Sequence, residues 1–287
     1  LDTAKGDYLS VFLDVSLTIS DSVDITGSIF IQKTVGSSLY VSGDEELHTL
    51  DMLVFGANNV DAFFGRYANS EDAIGVALNG ISFSMALATD KTTQQKYTSA
   101  KFSAQNAGFL GLGTTELSFD ISNIAIAVNL SAQDGSVIDY AKTSAVLDSS
   151  YGFGDVVLDM NGNDGQIIKA QIDMNLNVKD FLLFSGTFGL EISQKSMVLD
   201  DGQELVENNS YFAFYGLNVN AYAGLNAGTE SFVGLRLEDV NFYVAVVNSS
   251  IYSEATQTSY NRTWIGAKAS VGAVSLDGLG DDVVLSG

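Results

Sequence analysis

The sequence predicts an all-β protein made of tandem antiparallel β-sheet modules, two copies of one repeat. Three observations carry that prediction: an internal duplication, period-two alternation of apolar and polar residues, and the lack of any proline. In the duplication, Asp14, Gly27, Asn59, Gly65 and Phe83 return as Asp173, Gly186, Asn218, Gly224 and Phe242, each 159 residues later. The best-kept stretch reads NVDAFFGRYANSEDAIGVALNGISF from Asn59 to Phe83 and NVNAYAGLNAGTESFVGLRLEDVNF from Asn218 to Phe242. A period this long marks duplicated structural units, each large enough to be a domain.

The boundaries follow from the phase of the repeat. Gly6 and Leu9 match Gly165 and Ile168, which sets a complete first repeat at 1–159 and a second, truncated at its C-terminal end, at 160–287. Beyond Phe83 the register changes, since Tyr97, Lys101, Gly111 and Gly113 match Trp264, Lys268, Gly278 and Gly280 at an offset of 167. A longer surface loop is therefore expected in the second copy near Ser249 to Tyr260. Ends that fall in mid-repeat read as a piece of a longer array; a processed two-repeat protein is the other reading.

The elements come next. Leu13, Val15, Leu17 and Ile19 alternate with Asp14, Ser16 and Thr18, and their partners Ile172, Met174, Leu176 and Val178 alternate with Asp173, Asn175 and Asn177. Each is a strand with one buried and one wet face. Leu117, Phe119 and Ile121 repeat the pattern. Tyr211 to Gly224 and Phe232 to Val247 are apolar on both sides, as for strands covered on two faces or facing lipid on one. Tyr97 to Phe109 is rich in Ala, Lys and Gln, but its partner TWIGAKASVGAVSL looks extended, so strand is expected there. Asp134-Gly135, Asp201-Gly202 and Asp277-Gly278 supply hairpin turns. Either sandwich-like modules or one continuous extended sheet would satisfy this pattern.

Composition narrows the function. Average usage would give about 14 prolines in a chain this size; their absence fits long uninterrupted ladders, from which proline is excluded. The absence of cysteine excludes disulfides, thiolate metal sites and Cys nucleophiles. A formal net charge of −22 leaves no basic footprint for nucleic acid and makes cations the natural partners. No apolar run approaches the roughly 18 residues of a spanning helix.

Among acidic loops, Asp159, Asn161, Asn163 and Asp164 in DMNGNDG place oxygens at alternating positions suited to calcium, the expected cofactor. The loop is no EF-hand, because its glycine falls one place late and Ala170 stands where a bidentate Glu belongs. Asp44 to Glu46, the group Asp200, Asp201 and Glu204, and Asp281 with Asp282 are further acidic turns. Glu71 and Glu230 match between copies, which suits a turn residue better than a duplicated catalyst. His48 is the single histidine and its counterpart is Glu207, so a surface histidine is expected rather than a catalytic base. Gly111-Leu-Gly113 and Gly278-Leu-Gly280 lack the Lys-Ser/Thr ending of a phosphate loop and read as bends. The matched aromatics Phe63/Tyr222, Phe83/Phe242 and Tyr97/Trp264 read as core.

The duplicated unit, its acidity, its lack of Pro and Cys, and phrases such as GLNVNAYAGLNAGTESFVGLRLEDVNFYVAVV resemble very large repetitive bacterial surface proteins of the adhesin kind. The resemblance implies an extracellular or cell-surface, non-enzymatic structural and adhesive segment. It implies tandem β modules stiffened by calcium or assembling into fibres. The implied partners are neighbouring copies of the repeat and cell-surface or matrix ligands. It carries no site residues. An outer-membrane, porin-like β-barrel is the alternative, because Gly-rich alternating strands with plentiful Tyr and Phe suit one as well.

Overall fold

A computed structural model describes residues 7–20, 22–68, 70–111, 117–147, 151–194, 197–198, 204–205, 209–253 and 258–278. In chain order the strands are β1 (Asp7–Ile19), β2 (Val23–Val41), β3 (Leu47–Arg66), β4 (Ile74–Asp90), β5 (Lys96–Leu110), β6 (Leu117–Leu130) and β7 (Ile138–Asp139). A helix α1 (Tyr140–Leu147) follows, then β8 (Tyr151–Phe153), β9 (Val156–Leu158), β10 (Gln166–Val178), β11 (Leu182–Gln194), β12 (Met197–Val198) and β13 (Glu204–Leu205). The last strands are β14 (Ser210–Leu225), β15 (Val233–Ser253), β16 (Thr258–Ser270) and β17 (Ala273–Asp277).

One antiparallel sheet dominates, in the order β1-β2-β3-β4-β5-β6-β10-β11-β14-β15-β16, with β17 also on β15 and β7 on β2. The two repeats therefore form a single continuous sheet rather than separate sandwiches, and β6 joins them by pairing with β5 on one side and β10 on the other. The duplication holds at the level of hydrogen bonds. β10 has the bounds of β1 displaced by 159, and the ladder slips at Thr26/Ser28 and Ala57/Val60 recur at Ser185/Thr187 and Gly216/Val219. The bond from Gly65 N to Ser22 O at 2.8 Å recurs from Gly224 N to Phe181 O at 2.9 Å. Cross-strand glycines Gly65 and Gly75 recur as Gly224 and Gly234; a Cβ on Gly65 would lie 2.1 Å from the Ile74 carbonyl, so the close strand approach requires glycine.

Because side chains alternate along each strand, the ladder register fixes which residues share a face. One cross-sheet row reads Val11, Ile31, Phe55, Met85, Ala100, Val128, Ile168, Ile192, Phe212, Val246 and Ile265. The next row on that face reads Leu13, Ile29, Ala57, Phe83, Phe102, Ile126, Ala170, Leu190, Phe214, Val244 and Ala267. No polar residue interrupts either row, which at the usual strand spacing runs roughly 48 Å. Much of this face stays open, with Ile192, Phe212 and Phe214 all more than 40% exposed. Tyr211 to Gly224 and Phe232 to Val247 are thus not covered on both sides.

The opposite face of the first repeat is covered by the segment from β7 to β9. Tyr140, Tyr151, Leu158 and Met160 of that segment close over Phe30, Leu39, Leu50, Met52 and Ala88 of the sheet to make the main core. Gly56 leaves room for Phe153, whose ring stacks on Phe30 at 4.7 Å. In the second repeat the counterparts of Gly56 and Ser84 are Tyr215 and Tyr243, whose rings stack on each other at 6.4 Å. Helix α1 went unforeseen. Asp139 caps it, accepting from Lys142 N at 2.9 Å, and eight residues are too few for a periodic signal. The expected loop near Ser249 to Tyr260 is corrected: its flanks extend the hairpin, pairing Ser250 with Asn261 and Ser253 with Thr258. Paired backbone leaves fewer groups to water than a loop does.

Candidate functional site

The predicted calcium loop follows β9 and leads through a short 3-10 turn, Gly162–Asp164, into β10. Its oxygens have protein partners. Asp159 receives the Lys101 ammonium at 2.9 Å on both oxygens, and Asn161 Oδ1 accepts from Asn163 N at 2.9 Å. Asp164 lies 3.8 Å from Lys169. A cation here would have to displace Lys101 from Asp159. Among the described residues no group of three or more His, Cys, Asp or Glu side chains gathers into a metal cage. The acidic turn residues Asp200, Asp201, Asp281 and Asp282 lie outside the described residues, as do Asp201-Gly202 and Glu207, and so do the side chains of the turn's Glu204.

His48 is not a free surface histidine. Nδ1 lies 2.6 Å from Asp90 and Nε2 lies 3.1 Å from Asp44, so both ring nitrogens face carboxylates. Burial lowers the ring pKa, but the hydrogen bonds to Asp90 and Asp44 outweigh it and hold it above the ordinary value. Asp90 is fully buried, which opposes its charge; amide donation from Thr93 and Thr92 and the bond to His48 reverse that and hold its pKa down. With neither nitrogen left for a serine hydroxyl, the ring cannot serve a nucleophile as base. The cluster ties the start of β3 to the β4–β5 turn.

The junction between the repeats holds a groove in which polar side chains stand among Ala77, Ala107, Leu110, Ile121 and Met174. An open groove of about 600 Å³ is lined by Asn106, Asp120 and Ser122 from the first repeat and Asp173, Asn175, Ser185 and Thr187 from the second. Asp173 is the organiser: it accepts from Asn123 Nδ2 at 2.7 Å and from Thr187 Oγ1 at 2.5 Å. The equivalent Asp14 accepts from Ser28 at 2.7 Å. This array of amides, hydroxyls and carboxylates offers hydrogen bonds to a polar ligand. It was missed because its members lie on different strands and meet only through register.

The matched residues divide by place. Glu71 and Glu230 are exposed in equivalent turns. Tyr97 is buried in the main core, while Trp264 packs beside Tyr211, Ala213 and Val247 under Arg262, whose guanidinium lies 5.0 Å from the ring. Tyr222 donates to Glu238 at 2.9 Å. No protein-family model, curated protein or solved structure matches the chain.

Proposed function

We propose that this chain is a non-enzymatic structural and adhesive repeat segment of a long extracellular or cell-surface protein. The observation that carries the reading is the fusion of two sequence copies into one sheet through β6, with the matched residues spent on backbone geometry. Repeat arrays gain stability from each interface between neighbours, so a joining strand suits a long load-bearing chain. The junction groove would be the adhesive surface, taking a hydroxyl-rich cell-surface or matrix ligand. Calcium would act by screening a chain of net charge −22. The test is to label intact source cells with an antibody against this segment and to view the native material by electron microscopy. Surface labelling and filamentous material are expected; purely cytosolic protein would overturn the reading.

A second reading, part of a porin-like outer-membrane barrel, is favoured by one observation: the unbroken apolar rows that cross all eleven strands of the main path. Bilayer-spanning strands need 9–11 tilted residues with alternate side chains toward lipid, and β1 offers Leu9 to Ile19. Extraction of the native protein only with detergent would favour this second reading.

A further inference from the structure

We propose that the two outer edges of the sheet, β1 and β16–β17, are docking sites for one further strand each of the β6 sequence, supplied to β1 by a neighbouring copy of this repeat as β6 is supplied to β10. This deepens the repeat-array reading by naming the strand that joins neighbours, and it rests on that reading for the identity of the partner.

The internal duplication supplies the template. Strand β1 is the copy of β10, and β16–β17 is the copy of β5. Both β10 and β5 have β6 as an outer neighbour, whereas among the described residues β1 pairs only with β2, and β16 and β17 only with β15. Transferring the register puts Val11 opposite an Ile126-like residue, as Ala170 is, and Ala269 opposite another, as Phe102 is. In both cases apolar side chains meet on the apolar face.

Two further features point the same way. Leu9 and Ile265 are 71% and 74% exposed, while their copies Ile168 and Thr98, flanked by β6, are half-buried. Asp14 also repeats Asp173 down to its hydroxyl donor, and on Asp173 the second carboxylate oxygen takes the amide of Asn123 from β6. Edge strands that must stay unpaired usually carry proline, bulges or repeated charges. Strand β1 has none beyond Asp7 and Asp14. Lys268 on β16 is no barrier, because its copy Lys101 sits inside the β5–β6 ladder opposite Ala127.

The chain contains no cysteine, so single cysteines report register without background. A synthetic peptide of residues 117–130 carrying Ile126→Cys would be added to the whole chain bearing Val11→Cys, Ala269→Cys, or the off-register controls Leu17→Cys and Thr263→Cys. Mild oxidation should cross-link the first two at least tenfold faster than the controls. The unlabelled chain should bind two peptides, and Asp14→Ala should weaken the β1 site by roughly tenfold, the scale of a hydrogen bond to a charged group. Equal cross-linking at all four positions, or none in variants whose melting is unchanged, would overturn the inference. Failure here with surface labelling intact removes the edge sites alone; in-register capture by a purely cytosolic protein removes the surface role alone.

Discussion

Asn59 and Asn218 hold φ values of 51° and 50° at the same slip in their ladders, a left-handed conformation that costs most residues about 1–2 kcal/mol and asparagine less. Replacing either by alanine should lower stability by about 1 kcal/mol, and glycine should restore it. Equal losses in chemical unfolding of the two variants would confirm that the copies share backbone geometry. His48 gives a pH signature. Its raised pKa means that its stabilisation is complete below the ordinary value of 6.5 and is lost as pH rises through the folded-state value. Asp44 and Asp90 are shifted down, so their contribution is present above 3.8 and is lost as pH falls. Relative to the native chain, His48→Gln should melt roughly 2–4 °C lower near pH 5 and converge with it at alkaline pH. A constant offset across the range would contradict this.

At the scale of elements, the two faces of the sheet should answer differently to truncation. Leu158 on β9 is 1% exposed inside the main core, so Leu158→Ala should cost about 2–5 kcal/mol. Leu217 on β14 is 42% exposed, and Leu217→Ala should cost less than about 1 kcal/mol in denaturant titration. The strands themselves were legible: alternation at Leu13 to Ile19 and the partner argument for Tyr97 to Phe109 both lead to β-strands seen in the fold. The covering segment was not. β7 to β9 are two or three residues each and α1 is eight, too short for periodicity, and each is held by contacts with β2 to β5 rather than by its own propensity.

The molecule as a whole is mostly sheet surface. It exposes 16650 Å², against about 12,000 Å² for a compact monomer of 30.4 kDa. One face carries two rows that are apolar from edge to edge, and the chain has a net charge of −22. Millimolar calcium should therefore raise the melting temperature by screening carboxylates, and EDTA should reverse the rise. A matching response to equal ionic strength of sodium would assign the effect to general screening rather than to a bound ion. Sedimentation with and without detergent decides what covers the apolar face: monodispersity in plain buffer fits an array segment, and a need for detergent fits the barrel.

By itself the sequence determined the duplication, the β class and the strand spacing, because alternation and turn chemistry are local and a repeat is visible in one dimension. The tertiary structure alone decided that both copies share one sheet, that β6 joins them, and that His48 lies between two carboxylates. It alone also set the groove on the junction. Those facts depend on ladder register and on residues brought together from distant strands, and a one-residue slip in register, which no local signal forbids, would reverse every face.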